Sequence, residues 1–305
     1  MTQHPGAPTS TASVPTVGVA GDLVEDVIVW LGGEVAYGTD TPSQIFRVRG
    51  GSAANVAHAL AVHDCGSRLI TRVGSDAVGD GLVRDLADSG VDVRAQRGER
   101  SDTIVILIDA SGERTMMPDR STARAVTPFD PLWLDGLDWL HVPLYGFDST
   151  RESAVFERLC AQATARGIPL SVDVSSVGLI RGMGRGRVLD LLRRIAPTVL
   201  FANAEEAEVL GLEGGSAPPR ACTWVVKRGG DPILLRTASA TREVPVPRVP
   251  EIIDTTGAGD HFAAGFLAAY ARDPDPVAAA LAGSHAAAHI LAIPGAHAPG
   301  PVSAG

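Results

Sequence analysis

Short apolar runs alternate along the chain with longer stretches in which apolar residues recur every three or four positions. The short runs are typical of strands buried on both faces of a sheet, and the longer stretches are typical of amphipathic helices. Strands are predicted at 16–21, 67–74, 138–144, 168–174, 198–203 and 222–227. Helices are predicted at 52–63, 79–90, 149–167, 186–196, 203–211, 257–272 and 276–292. This order predicts a doubly wound α/β fold with a mostly parallel sheet and helices on both faces.

Two segments interrupt the alternation because they contain strand patterns without a helix. They are 26–49 and 102–119, and Asp109-Ala110-Ser111-Gly112 predicts the turn of a β-hairpin in the second. We expect the two segments to pair into a small sheet beside the main one. Such a sheet would act as a lid over a site or form an edge hairpin without motion, and the pattern favours neither.

Composition limits the class of protein. The chain has 305 residues, 45% of them hydrophobic, a net charge of −9 and a pI of about 5.3, which argues against a nucleic-acid partner. Three widely spaced cysteines predict neither a disulfide framework nor a zinc site, as expected for a cytoplasmic protein. No apolar run reaches the roughly 20 residues of a membrane helix. Residues 1–15 lack the features of a signal peptide and are predicted to be a disordered tail, and 297–305 are predicted to be loose.

Two classes of nucleotide-binding enzyme are disfavoured. Lys227 is the only lysine, so the Gly-Lys-Ser/Thr of a P-loop is missing. The first predicted strand is followed by VAGDLVED, which lacks the Gly-x-Gly-x-x-Gly of a nicotinamide-binding fold. The basic stretch RGMGRGR at 181–187 is interpreted as a solvated loop.

The strongest chemical signal is IIDTTGAGDHFAAGF at 252–266, where a glycine-rich turn opens a helix of small residues. The first N–H groups of a helix have no partner within it and attract an anion such as a phosphoryl group. Asp260 lies at that helix start, where a carboxylate can take a proton from an attacking hydroxyl. The structural alternative is that Thr255, Thr256 or Asp260 caps the helix.

This segment resembles the C-terminal signature of the ribokinase-like, or PfkB, family of sugar and nucleoside kinases. The stretch GGSAANVAHALAVHDCGSRLITRVGSDAVGDGL at 50–82 resembles the N-terminal signature of the same family. The resemblance implies a kinase domain over 16–296, with lid segments at about 25–49 and 96–120. It also implies ATP-dependent phosphorylation of a hydroxymethyl group.

The resemblance assigns roles to residues on the acceptor side. Asp260 resembles the catalytic base, and the anion hole would consist of Gly257, Ala258 and Gly259. The implied substrate contacts are Asp22, Gly50, Gly51 and Asn55. The structural alternatives are that Asp22 caps a turn and that Asn55 is a satisfied polar group in a helix interface.

On the nucleotide side, the resemblance places Asn203 and Glu206 near Mg²⁺ and the triphosphate, with Glu206 acting indirectly on the metal. The nucleotide loop would contain Lys227, Gly229 and Gly230, and a monovalent cation would be held by Asp254 and Thr256. The alternative for Asn203 and Glu206 is a capping box. The chain departs from the family at Pro232, where a glycine is usual, and at His261, where a small or hydroxyl residue is commoner.

The sequence therefore predicts a cytoplasmic sugar kinase that transfers the γ-phosphoryl group of ATP to a primary hydroxyl, with Mg²⁺ and with K⁺ as a candidate activator. A sugar acid such as 2-keto-3-deoxygluconate, a sugar phosphate or a nucleoside remain alternative acceptors. Arg114 and Arg120 would face an anionic group on the acceptor, or they are surface arginines. A catalytically silent ligand-binding regulator is the alternative without catalysis, and a homodimer through the lid is a further expectation.

Overall fold

The computed structural model describes residues 14–120, 127–214, 218–219, 222–252 and 255–292. Its strands are β1 Thr16–Ala20, β2 Val24–Leu31, β3 Ser43–Gly50, β4 Gly66–Gly74, β5 Asp92–Gly98, β6 Thr103–Ile108, β7 Arg114–Asp119, β8 Trp139–Pro143, β9 Leu170–Asp173, β10 Val199–Asn203, β11 Thr223–Arg228, β12 Asp231–Arg236 and β13 Thr241–Val244. Its α-helices are α1 Ser52–Val62, α2 Ala77–Asp88, α3 Thr150–Ala165, α4 Val177–Met183, α5 Arg185–Ile195, α6 Ala204–Leu210, α7 Ala258–Tyr270 and α8 Pro276–Leu291. The tails predicted at the two ends fall mostly on residues 1–13 and 293–305, which lie outside the described residues, as does Asp254.

The large sheet has the strand order β13-β12-β11-β10-β9-β8-β1-β4-β5 among the described residues. Pairing is parallel from β5 to β11 and antiparallel for β12 and β13. The predicted doubly wound α/β fold is thus confirmed. The chain direction across the sheet reverses between β1 and β8, and ligands of such sheets bind at the carboxyl ends of the strands near that point.

The predicted small sheet is also confirmed, with the order β3-β2-β6-β7. Its hairpin turn forms as expected, since the Asp109 carboxylate accepts the N–H groups of Ser111 at 2.8 Å and Glu113 at 3.0 Å. The second lid segment was expected to begin at about residue 96, but it begins at β6. Residues up to Gly98 belong to β5, which pairs with β4 in the large sheet.

Helix α4 is the main element that sequence reasoning missed. The interpretation of 181–187 as a solvated loop is right about its exposure to solvent and wrong about the loop. The first half of this stretch ends α4 and the second half begins α5. Gly184, with φ of 87°, is the junction of the two helices, because only glycine readily adopts that backbone conformation. Strands β5, β12 and β13 were missed as well, because none of them is a continuous buried apolar run. Strand β5 is polar and mostly half-buried, β12 begins with two exposed residues, and β13 is mostly exposed.

Two apolar layers cover the large sheet, with α1, α2, α7 and α8 on one face and α3 to α6 on the other. Phe201 of β10 packs edge-on against Phe266 of α7, with ring centroids 5.1 Å apart. Phe262, one turn earlier on α7, contacts the same ring. These aromatic contacts fix the start of α7 over the carboxyl ends of the central strands.

Candidate active site

A cavity of about 680 Å³ lies where the carboxyl ends of the large sheet face the small sheet. Most of the residues singled out from sequence line it, namely Asp22, Gly51, Asn55, Asn203, Glu206, Lys227, Gly229, Gly230, Thr256, Gly257, Ala258, Gly259 and Asp260. Gly50 is not among the residues that line the cavity and instead packs against Asp26. The small sheet contributes Asp26, Ile104 and Met116, and Arg120 follows its last strand.

Asp260 lies in the first turn of α7. The N-cap is Gly257, with φ of 75° and no side chain, so the Asp260 carboxylate is not occupied in capping this helix. It accepts hydrogen bonds from the Ser52 hydroxyl at 2.7 Å and from the Asn55 amide at 3.0 Å. Burial raises the pKa of Asp260 to about 7, although the bonds from Ser52 and Asn55 lower it. A carboxyl with this pKa can accept a proton near neutral pH.

Arg49 is a residue of the site that sequence reasoning missed. Its guanidinium is nearly inaccessible to solvent and donates to Asn55 Oδ1 at 3.2 Å and to the Asp85 carboxylate at 3.0 Å. Because a guanidinium has only donors, Asn55 must turn its oxygen toward Arg49 and its NH₂ toward Asp260. Arg49 therefore sets the orientation in which Asn55 meets the carboxylate.

Asp22 caps α1 from outside the helix. Its carboxylate accepts the N–H of Ala53 at 3.1 Å, and its carbonyl accepts the N–H of Ala54 at 3.2 Å. Gly51 has φ of 102°, and a Cβ there would lie 2.6 Å from the Asp22 carbonyl oxygen. Close packing against Asp22 thus explains one of the two adjacent glycines.

Asp26, four residues after Asp22, is a second residue that sequence reasoning missed. Its Oδ1 atom is buried and has no hydrogen-bond partner among the described residues. A Cβ on Gly50 would lie 2.2 Å from Asp26 Oδ2. The Asp26 carboxylate therefore fits only because residue 50 has no side chain. Burial and the charge of Asp22 together raise the pKa of Asp26 to about 7, although the charge of Arg49 lowers it. The spacing Asp-x-x-x-Asp at the end of a buried strand was the available sequence signal.

On the opposite side of the cavity, Lys227 donates to Asp173 at 2.8 Å. Burial lowers the pKa of Lys227, but Asp173 outweighs it and raises that pKa above its ordinary value. Glu206 and Asn203 form the capping box that was the structural alternative, with bonds of 2.8 and 2.9 Å. This box uses one carboxylate oxygen of Glu206 and leaves the side chain at the cavity wall. Asp173 was missed, although it ends a predicted apolar strand.

Gly229 and Gly230 form the tight turn between β11 and β12, and Gly229 has φ of 63°. The pairing of the two strands is irregular between Val226 and Arg228, opposite the start of β12. Pro232, the departure noted in the sequence, lies at this irregular start, where its missing N–H disrupts no regular ladder. Its carbonyl accepts a hydrogen bond from Arg228 at 2.7 Å.

The two arginines considered as anion ligands differ in their surroundings. Arg114 of β7 donates to the Thr256 hydroxyl and so connects the small sheet to the loop before α7. Its positive charge disfavours a monovalent cation at that hydroxyl. Arg120 lines the cavity, with its guanidinium carbon 5.4 Å from the centre of the Tyr145 ring.

His261 is not among the residues that line the cavity.

A magnesium ion fits the nucleotide side only if phosphates share its coordination. No group of three or more His, Cys, Asp or Glu among the described residues would hold a metal by itself. Mg²⁺ typically binds one or two protein carboxylates together with phosphate oxygens and waters. The carboxylates of Glu206 and Asp173, both buried at the cavity wall, supply the hard oxygen ligands that this mode requires.

Asp260 thus has a raised pKa and lies at a helix start, inside a cavity that the small sheet helps to line. This arrangement suits a phosphotransferase that acts on a hydroxyl group. The chain belongs to the pfkB family of carbohydrate kinases, since the model of that family matches residues 32–302. It is 34% identical over 237 residues, 74% of each chain, to the ATP-dependent ribose-1-phosphate kinase of Halopiger xanaduensis. The family makes the protein a kinase with ATP as cosubstrate.

Two further proteins illustrate how far the likeness extends. The chain is 29% identical to the bifunctional protein HldE of Pseudomonas fluorescens over 83% of its own length, but spans only 54% of that protein. The crystal structure of a fructokinase with bound ATP from Xylella fastidiosa superposes with a TM-score of 0.77 and 21% identity, covering 92% of this chain and 93% of that one. The fold is therefore ribokinase-like. None of the described helices has both the length and the apolar character needed to cross a membrane.

Proposed function

We propose that the protein transfers the γ-phosphoryl group of ATP to a primary hydroxyl of a small sugar, with Asp260 as the general base. The surroundings of Asp260 carry this proposal. Its carboxylate lies in the first turn of α7, and hydrogen bonds from Ser52 and Asn55 fix its orientation. A pKa of about 7 suits a group that takes up a proton near neutral pH.

In the proposed reaction, the accepting hydroxyl gives its proton to Asp260 while its oxygen forms a bond to the γ-phosphorus. The bond from that phosphorus to the bridging oxygen breaks, and ADP leaves with the electron pair. Backbone N–H groups of Gly257, Ala258 and Gly259, at the start of α7, stabilise the charge on the phosphoryl oxygens.

The opposite side of the cavity is proposed to bind the triphosphate, with Asn203, Lys227 and the turn at Gly229 and Gly230. Mg²⁺, when bound with ATP, neutralises charge on the phosphates, and Glu206 and Asp173 are the carboxylates available to it or to its waters. K⁺ as an activator stays a prediction, because Asp254 lies outside the described residues.

On the acceptor side, Asp26 and Asn55 are proposed to bind sugar hydroxyls, against the backbone of Gly51. Asp22 supports this wall by capping α1. The names of the relatives put ribose 1-phosphate and fructose among the acceptors to be tried. A sugar acid such as 2-keto-3-deoxygluconate and a nucleoside stay alternatives.

Three expectations from the sequence stay proposals: a cytoplasmic location, no nucleic-acid or membrane partner, and a homodimer through the small sheet. Several large apolar side chains are exposed on or beside this sheet, at Val35, Tyr37, Ile45 and Met117. Sedimentation of the purified protein tests the dimer. The hydrogen bonds that Ser52 and Asn55 donate to Asp260 disfavour the alternative of a catalytically silent regulator.

Replacement of Asp260 by Asn tests the proposed function. The amide keeps the size of the side chain but cannot take up the proton, so kcat should fall by about 10²–10⁴-fold. Phosphorylation is measured by coupled ADP release across pentoses, hexoses, sugar acids, sugar phosphates and nucleosides, with and without K⁺. Asp80→Asn is the matched control, because Asp80 is an exposed carboxylate of α2 away from the cavity. An Asp260→Asn enzyme with a near wild-type rate would show that the base lies elsewhere.

A further inference from the structure

Arg120 occupies an unusual position for an arginine. It follows β7 directly and is only partly exposed at the wall of the cavity that also contains Asp22 and Asp26. The guanidinium lies over the ring of Tyr145, 5.4 Å from its centre. Stacking on an aromatic ring holds a guanidinium in a defined plane while leaving its N–H groups available.

Those N–H groups have no partner in the part of the chain that the structure describes. Arg120 forms no hydrogen bond and no ion pair with any described residue. Its charge lowers the pKa of Glu152, but the two side chains form no ion pair. The other cations of the cavity are paired, Lys227 with Asp173 and Arg228 with Glu243. A partly buried guanidinium with five donors that no described residue uses is suited to a planar, bidentate contact with a phosphate or carboxylate.

The place of Tyr145 in the fold indicates which substrate this contact would serve. Tyr145 follows β8, the neighbour of β1, whose end carries Asp22. The proposed nucleotide residues follow β10 and β11, and β11 lies three strands from β8. At about 4.8 Å per strand this separation is roughly 14 Å. Arg120 therefore lies at the acceptor end of the cavity rather than at the nucleotide loop.

We propose that the acceptor is an anionic sugar, and that Arg120 binds its phosphate or carboxylate group while the accepting hydroxyl faces Asp260. This inference rests on the proposed function and names the class of its substrate. A neutral sugar would leave the guanidinium without an ionic partner among the described residues, and an anionic one would pair with it. Because Arg120 follows the last strand of the small sheet, such a substrate would also bridge that sheet to the core.

The experiment compares matched acceptors in the same ATP-coupled assay. The pairs are a pentose and its 1-phosphate, a hexose and its 1-phosphate, and a hexose and the corresponding sugar acid. We expect the anionic member of at least one pair to have a kcat/KM at least about tenfold higher than its neutral partner. Hydrogen bonds to charged groups contribute about 1.5–3 kcal/mol, so Arg120→Gln should lower that kcat/KM by about tenfold to a hundredfold. The kcat/KM for the neutral partner should change less than about twofold.

Arg47→Gln is the control, since Arg47 is an exposed arginine of the same sheet that pairs with Glu25 and does not line the cavity. Arg120→Lys should recover part of the loss, because it keeps the charge without the bidentate geometry. Equal losses for both members of every pair would assign Arg120 to the phosphates of ATP and overturn the inference. A preference for neutral sugars would also overturn it while leaving the proposed function intact. If the wild-type protein phosphorylates no acceptor, the proposed function itself fails.

Discussion

Asn55 contributes to the site through both ends of its amide. Its oxygen accepts from Arg49, and its NH₂ group donates to Asp260. A residue that only bound a sugar hydroxyl would leave the carboxylate free to rotate. Asn55 also holds the proposed base in place, and Arg49, which also pairs with Asp85, holds Asn55.

The pH dependence of the rate follows from the surroundings of Asp260. The base must be ionised to accept a proton, so kcat/KM should fall as the pH decreases through about 7. Ser52→Ala removes a donor that stabilises the ionised form, which raises the pKa of Asp260. The acid limb of the pH profile should therefore move to higher pH, with a larger loss of rate at pH 6.5 than at pH 9. Steady-state kinetics over pH 5.5–9.5 measure this shift.

Two comparisons sharpen this pH experiment. Ser89→Ala, at the exposed end of α2, should leave the profile unchanged. Asp26 has a similar pKa, so the acid limb belongs to both carboxylates, and Asp26→Asn separates them. An acid limb that stays in place in Ser52→Ala would mean that Asp260 is not the group that limits the rate.

Among single residues, those in local motifs could be predicted and those that depend on tertiary contacts could not. The Gly-Ala-Gly-Asp turn places Asp260 at a helix start through sequence alone. Arg49 gained its role only because Asp85, on the next helix, and Asn55 both reach its guanidinium. Asp173 of β9 likewise meets Lys227 of β11 past the end of β10, which lies between them, and nothing local in either strand indicates that contact.

Helices α7 and α8 approach closely because both carry glycines at their contact. A Cβ on Gly265 would lie 2.8 Å from the Cβ of Ala286, and one on Gly283 would lie 2.7 Å from the carbonyl oxygen of Phe262. Phe262 comes two residues after Asp260. We therefore expect a change in the spacing between the two helices to move the carboxylate at the start of α7.

Gly283→Ala tests this connection. The added methyl group cannot fit without separating the helices, and overpacking of this kind costs about 1–3 kcal/mol. We expect a lower melting temperature together with a reduced kcat, measured by thermal denaturation and by the kinase assay. Gly81→Ala is the matched control, since Gly81 lies inside α2 with open space around it and the change should stabilise by up to about 1 kcal/mol. A stable Gly283→Ala protein with unchanged kcat would contradict the connection.

At the scale of elements, periodicity predicted the strands and helices that bury continuous apolar faces. It failed where burial is partial, as in β5, which is largely polar and mostly half-buried, and in β13, which is mostly exposed. It failed again at α4. Helices α4 and α5 are short and meet at one glycine, so α4 contains too few residues to show a clear apolar periodicity.

Across the whole molecule, the small sheet and the core meet at both ends of the cavity. The chain passes from β1 through Asp22 into β2, so the two sheets share a continuous connection at the acceptor end. Arg114 of β7 reaches across to Thr256, in the loop that leads into α7. The sequence predicted both sheets but left open whether the small one moves, because the pattern of a strand does not record how it contacts a distant loop.

Arg114→Ala tests whether the small sheet acts as a lid. Loss of the contact with Thr256 should favour an open cavity, in which water competes with the sugar for the phosphoryl group. We expect a lower kcat/KM for the sugar and several-fold more ADP released per sugar phosphate formed, measured by quantifying both products in one reaction. Arg47→Ala is the control, because its partner Glu25 belongs to the same small sheet, so no bond to the core is lost. A ratio of products unchanged from the wild type would mean that the sheet is a fixed wall of the cavity, since closing it would then contribute nothing to excluding water.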